Sequence, residues 1–122
     1  MANAFNLTRS EQDGAVILGL EGYLDAHTAP QFERAIETEF SAGHLRLIAD
    51  CAKLDYISSA GLGVFMSFIE DIREAGGDIK LCAIVPKVYQ VFDVLGFPEL
   101  FDIVDAVPTA LERFRAGPRK EV

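Results

Sequence analysis

Leu45-Arg46-Leu47-Ile48-Ala49-Asp50-Cys51 is followed by Tyr56-Ile57-Ser58-Ser59-Ala60-Gly61-Leu62-Gly63-Val64-Phe65 and, after Gly76-Gly77, by Ile79-Lys80-Leu81-Cys82-Ala83-Ile84-Val85. The first and last runs are short and mostly apolar, the pattern of strands buried in a sheet. Between them Leu62, Phe65, Phe68, Ile69 and Ile72 recur at three- and four-residue intervals, the stripe of an amphipathic helix. Gly76-Gly77 ends that helix in a left-handed cap. Strand, helix and strand joined by short connections form a βαβ crossover, which sets its two strands parallel.

The same alternation extends both ways. Upstream, Asp13-Gly14 is a turn signal between a weak strand at Phe5 to Arg9 and the apolar run Ala15 to Leu20, a hairpin. Gly22-Tyr23-Leu24-Asp25 reads as a loop. Thr28 and Gln31 have capping-box spacing, with Pro30 in the first turn of a helix carrying Ala29, Phe32, Ala35, Ile36 and Phe40 and ended by Gly43. Downstream, Pro86 opens a helix with Val88, Val91, Phe92 and Leu95, stopped by Gly96 and Pro98. A short edge strand follows at Leu100 to Val104, then a last helix begun by Asp105 and Pro108 and carrying Val107, Leu111 and Phe114. The expected fold is α/β: a mixed, mainly parallel sheet with an N-terminal antiparallel hairpin strand and about four helices. Its 122 residues make one domain, 1–122, with a core at about 5–116 and a tail at 117–122.

Eleven Lys and Arg against 19 Asp and Glu leave a formal charge of −8. Such a surface repels phosphate backbones and anionic headgroups, so neither nucleic acid nor a lipid surface is an expected ligand. The one basic cluster, Arg113, Arg115, Arg119 and Lys120, reads as a solvated helix end and tail. No apolar window reaches the length of a membrane span, and Met1 to Ser10 lacks the pattern of a secretory signal. Cys51 and Cys82 have no metal spacing with His27 or His44 and read as small buried thiols of a reducing compartment, hence a cytoplasmic address. No apolar stripe is left over, so the free chain is expected to be a monomer.

Catalytic patterns are missing. A triad of Ser59, His27 and Asp25 is conceivable, but there is no Gly-x-Ser-x-Gly elbow, no Walker loop and no Gly-x-Gly-x-x-Gly, and no metal or cofactor is expected. The informative feature is Ser58-Ser59 before Ala60-Gly61-Leu62-Gly63. One serine caps the helix, since its hydroxyl accepts from an orphan backbone N–H. The other would stand at the surface among small residues, at a helix end that tolerates a phosphate. By itself Asp25 reads as a loop residue making an Asx-turn before its helix.

Gly22-Tyr23-Leu24-Asp25-Ala26-His27-Thr28-Ala29, then Leu54-Asp55-Tyr56-Ile57-Ser58-Ser59-Ala60-Gly61-Leu62-Gly63-Val64, resembles the bacterial anti-sigma-factor antagonists of the sulfate-transporter and anti-sigma-antagonist (STAS) domain family. Gly76-Gly77, Leu81-Cys82, Val85-Pro86, Val91-Phe92 and Leu95-Gly96 continue the likeness. It implies partner switching. The unmodified antagonist binds an anti-sigma factor, which is a serine kinase of the histidine-kinase-like ATPase fold. Phosphorylation releases it, and a PP2C-type phosphatase reverses the step. Alignment on Gly61-Leu62-Gly63 puts Ser59 at the acceptor position, with Ser58 the alternate. Ser58 stands where many members have Asp. Asp25, Thr28, Ser58, Ser59, Gly61 and Leu62 are the partner-binding residues so implied; Tyr23, Tyr56 and Phe97 would rim the same end, the competing reading of each being a core or semi-buried residue. The other wiring open to the family is a module of a stressosome-like, secretion-control or transporter-associated complex without sigma-factor release. A small hydrolase or nucleotide-binding enzyme using Ser59 is a third class.

Overall fold

The computed structural model describes residues 4–117. Five strands form one sheet in the order β1-β2-β3-β4-β5: β1 Phe5–Gln12, β2 Ala15–Leu24, β3 Arg46–Ile57, β4 Asp78–Cys82 and β5 Ile103–Val104. Only β1 runs antiparallel to its neighbour; the other pairings are parallel. The hairpin closes at Asp13-Gly14, both at positive φ (52° and 81°), as a type I′ turn requires. The expected α/β class, strand directions and hairpin are all present. The basic residues Arg113 and Arg115 pair with Asp102 and Asp13, while Arg119, Lys120 and the rest of the expected tail after Gly117 lie outside the described residues.

Side-chain alternation along the strands sorts the core into two layers. Val16, Leu18, Leu20, Leu47, Ala49, Ile79 and Leu81 face α1 (Ala29–Ser41), α2 (Ser59–Glu74), α3 (Pro86–Val94) and α4 (Phe97–Leu100). Ala15, Ile17, Ile48, Cys82 and Val104 face α5 (Val107–Arg115) through Ala110, Leu111 and Phe114. At the centre of the thicker layer Phe65 of α2 meets the rings of Phe32, Phe92, Phe97 and Phe101 edge-on, with centroids 5.0–6.3 Å apart. Quadrupoles favour such edge contacts over face-to-face stacking. Of the two readings open for Phe97, rim or core, the structure gives the core, at 3% exposure.

Several boundaries differ from the sequence reading. β2 continues through Gly22 to Leu24 rather than ending in a loop, and β3 runs to Ile57 rather than closing at Asp50-Cys51. Register shifts between Gly19 and Glu21 and between Gly22 and Tyr23 interrupt the period of two on which strand recognition rests. β4 stops at Cys82 because Ala83 turns into the left-handed region, φ 60°. Among the described residues there are five helices where about four were expected, since Gly96 at φ 76° turns the chain into the single turn α4 and shortens the edge strand to two residues. The corner between α3 and α4 leaves Val94, Leu95 and Leu100 exposed, against the expectations that Leu95 lies on the buried stripe of its helix and that no apolar surface is left over.

Among the described residues two charged side chains are buried. Glu39 of α1 accepts from Arg9 of β1 at 2.7 and 3.0 Å and lies 2.7 Å from Nδ1 of His44, tying the edge strand to the helix and to the loop after it. Arg9 holds the Glu39 carboxyl below the ordinary carboxylate range, with His44 adding to the effect against the opposing cost of burial. Lys80 donates to Asp78 and Asp102 at 3.1 and 3.2 Å, with its ammonium 4.6 Å from the Phe114 ring centroid. Each buried charge thus has partners that offset its desolvation.

Candidate functional site

The ends of β2 and β3 bring together the segments that the sequence singled out. β2 ends at Leu24, whose carbonyl accepts from the N–H of Ser58 at 2.9 Å. The β2–α1 turn and the start of α2 are therefore one construction, at the carboxyl ends of two parallel strands. That is where open α/β sheets most often present a binding site.

The turn is closed by its own side chains. Asp25 Oδ1 accepts from the N–H groups of His27 and Thr28 at 2.9 and 3.1 Å, the Asx-turn reading of this residue. Thr28 does not form the expected capping box. Its Oγ1 donates to the carbonyl of Tyr23 at 2.8 Å and accepts from the N–H of Asp25 at 2.9 Å, so it points back into the turn rather than onto α1. The Asp25 carboxylate reaches the main chain of His27, and the imidazole of that exposed residue is not joined to it, so no Ser-His-Asp relay is assembled. Asp25 Oδ1 and the Thr28 hydroxyl shape the site, while Asp25 Oδ2 is in no hydrogen bond among the described residues.

The two serines divide their roles. Ser58 is the N-cap of α2, extended at φ −100° and ψ 173°, and its Oγ accepts from the N–H of Gly61 at 3.5 Å. Its carbonyl accepts the first helical bond from Leu62 at 3.0 Å. Ser59 is the first residue of the helix, exposed, with its hydroxyl in no hydrogen bond among the described residues. An exposed, unbonded hydroxyl thus stands at the positive end of a 16-residue helix.

Gly61 and Leu62, expected to bind a partner, are packed into the domain. Both are buried, and a Cβ on Gly61 would lie 2.8 Å from Leu24 Cγ, 2.9 Å from Ile57 Cγ1 and 3.0 Å from the Leu24 carbonyl oxygen. Glycine lets α2 sit against the strand ends, and Leu62 packs beneath it at 3% exposure. Gly63 is the reverse case: it is exposed, and a Cβ there would meet nothing within 4 Å. A helical glycine costs roughly 1 kcal/mol relative to alanine. At Gly61 close packing accounts for that cost; at Gly63 nothing inside the domain does.

An aromatic pair borders the site. Tyr23 and Tyr56 are register partners at the ends of β2 and β3, with ring centroids 5.6 Å apart, and Tyr56 is 46% exposed. The thiols of Cys51 and Cys82 are buried, and burial pushes the Cys82 thiol up to about 12, so neither is a nucleophile at neutral pH. Among the described residues no three His, Cys, Asp or Glu side chains cluster to hold a metal, and no helix is long and apolar enough to cross a membrane.

A five-stranded mixed sheet with helices on both faces and a paired serine at the start of α2 defines a class. Residues 6–110 match the STAS domain, and the chain belongs to that family. Several curated relatives are named anti-sigma factor antagonists. BtrV of Bordetella bronchiseptica, provisionally named one, is 33% identical over 111 residues, 91% of this chain and 96% of its own. The anti-sigma-B factor antagonist of Bacillus subtilis is 26% identical over 100 residues, 80% of this chain and 89% of its own. Among solved structures, the unphosphorylated form of the anti-sigma factor antagonist SpoIIAA superposes with a TM-score of 0.70 at 25% identity, covering 92% of this chain and 98% of its own.

Proposed function

We propose that the protein is an anti-sigma factor antagonist acting as a non-enzymatic, phospho-regulated partner switch in the cytoplasm. Unmodified, it binds an anti-sigma factor that is also a serine kinase of the histidine-kinase-like ATPase fold. Phosphorylation of Ser59 releases it, and a PP2C-type phosphatase restores the hydroxyl. The observation that carries this reading is the division of labour at the start of α2: Ser58 caps, and Ser59 stands exposed with no bond of its own. The antagonist relatives support the role in general, and the formal net charge of −8 suits a protein partner over nucleic acid.

The physical logic of the switch is a difference between two environments. A phosphate adds about −1.5 to −2 charges at pH 7 and is welcome at a helix N-terminus. In an interface fitted to a neutral hydroxyl the same charge must be desolvated, which costs several kcal/mol. A loss of about 4 kcal/mol is roughly a thousandfold in affinity. The test is to purify the protein with its partners from the native host, incubate it with the ATPase-fold partner and ATP, and map the phosphate by mass spectrometry. Phosphate at Ser59 with loss of binding supports the reading. Phosphate on Ser58 alone overturns the assignment, and stable binding without phosphorylation favours a module that works without sigma-factor release.

A further inference from the structure

We propose that the crevice between the carboxyl ends of β4 and β5 binds a free α-amino acid with an apolar side chain. Its carboxylate sits on the Arg113 guanidinium and its ammonium on the Asp105 carboxylate. The site uses none of the residues around the paired serines and does not depend on the partner-switch reading.

The topology of the sheet makes the crevice. β4 and β5 are parallel neighbours, with Leu81 beside Ile103 and Cys82 beside Val104. After β4 the chain enters α3, whose Val88 and Phe92 pack in the layer shared with α1 and α2. After β5 it enters α5, whose Ala110, Leu111 and Phe114 pack on the opposite face. Among the described residues no other pair of adjacent parallel strands sends its connections to opposite faces. Open α/β sheets bind ligands at such a divergence, just outside the carboxyl ends of the strands. The two chains part at Ala83, which still donates to the Val104 carbonyl at 3.2 Å. It then turns at φ 60°, a conformation that is unfavourable for a residue with a Cβ.

A cavity of about 390 Å³ lies at this point, walled in part by Ala83, Ile84, Tyr89, Asp102, Asp105 and Arg113. That volume is at the small end of the range for small-molecule sites, about 300–1,000 Å³, and suits a ligand of few atoms. Ile84 and the Tyr89 ring give an apolar side chain a wall to lie against.

Charge selects the occupant. Asp102 is already compensated, accepting from Lys80 at 3.2 Å and from Arg113 Nη1 at 2.8 Å. The other guanidinium N–H groups of Arg113 have no acceptor among the described residues, and their planar fork matches a carboxylate. Asp105 is exposed and in no hydrogen bond or ion pair among the described residues. Helical rise sets Val107 and Arg113 about 9 Å apart along α5. Long side chains lean toward the start of their helix, which brings the guanidinium back toward Asp105. One spare cation and one spare anion in a single cavity match a zwitterion. A simple anion would meet the Asp105 carboxylate, and a simple cation the Arg113 guanidinium.

The test is to titrate the full-length, ¹⁵N-labelled protein with L-leucine, L-methionine and L-phenylalanine and follow its amide signals. At least one of the three should shift the Ala83, Ile84 and Asp105 signals saturably, with a Kd below about 1 mM. The analogues of that amino acid lacking the ammonium or the carboxylate should bind at least about tenfold more weakly. Asp105→Asn should weaken the same amino acid by a similar factor, and Arg113→Gln likewise, while the rest of each spectrum stays that of the folded wild type. The inference is overturned if none of the three amino acids shifts these signals, or if the shifts fall elsewhere. It is equally overturned if either truncated analogue binds as tightly, or if Asp105→Asn binds like the wild type.

Discussion

The backbone N–H of Ser58 donates to the carbonyl of Leu24 across 2.9 Å, joining residues 34 positions apart and anchoring the start of α2 to the end of β2. Leu24 ends the strand that leads into the Asp25–Thr28 turn, and Ser58 caps the helix that presents Ser59. The geometry of the exposed hydroxyl is therefore set by a contact between two main chains, and Gly61 is what permits it.

Gly61→Ala should destabilise the protein by about 1–3 kcal/mol, the usual penalty for an overpacked core. The added methyl would press on Leu24 Cγ and Ile57 Cγ1, neither of which is the free end of a long side chain, and on the carbonyl oxygen that Ser58 uses. Urea unfolding measures this directly. An alanine variant as stable as the wild type would show that the strand ends yield to α2.

Asp25→Ala removes the acceptor for two main-chain N–H groups and should cost about 0.5–2 kcal/mol. Asp25→Asn keeps Oδ1 and should recover most of that loss. Thermal melts of both variants, set beside partner titrations, separate shape from charge. If the Asn form is stable but binds poorly, the carboxylate itself meets the partner.

Glu39 predicts an acid limb of the stability curve. Its carboxyl is held below the ordinary value by Arg9, so in the acid range the unfolded chain binds the proton more readily than the folded one. The stabilisation is fully present above the ordinary glutamate value of about 4.3 and is lost as pH falls through the folded value. Arg9, Glu11 and His44 are the charged or titratable groups around it. Unfolding free energy should therefore fall more steeply below about pH 5 in the wild type than in Glu39→Gln. Parallel slopes would mean that this cluster does not couple folding to protonation.

Phosphorylation of Ser59 should leave the free domain folded, with its melting temperature unchanged or slightly raised, since the added charge gains roughly 0.3–1 kcal/mol from the helix dipole. Ser59→Ala should bind like the unmodified protein and resist switching, and Ser59→Asp should mimic the phosphate weakly. A large drop in the melting temperature of the phosphorylated form would replace charge exclusion with local unfolding as the mechanism.

Apolar stripes, strand runs and Gly or Pro punctuation are local, and for that reason the α/β class, the order of elements, the Asp13-Gly14 hairpin and the paired serines at a helix start were all legible in the sequence. Features that depend on distant residues were not. The burial of Glu39 follows from Arg9, 30 residues away on the edge strand. The ends of β2 and β3 were masked by register shifts, which break the alternation that marks a strand. Gly61 and Gly63 are the sharpest case, two residues apart in one motif and indistinguishable by composition or spacing. Only packing separates them: a helix turns by about 200° over two residues, so one glycine is pressed against Leu24 and Ile57 while the other opens onto solvent.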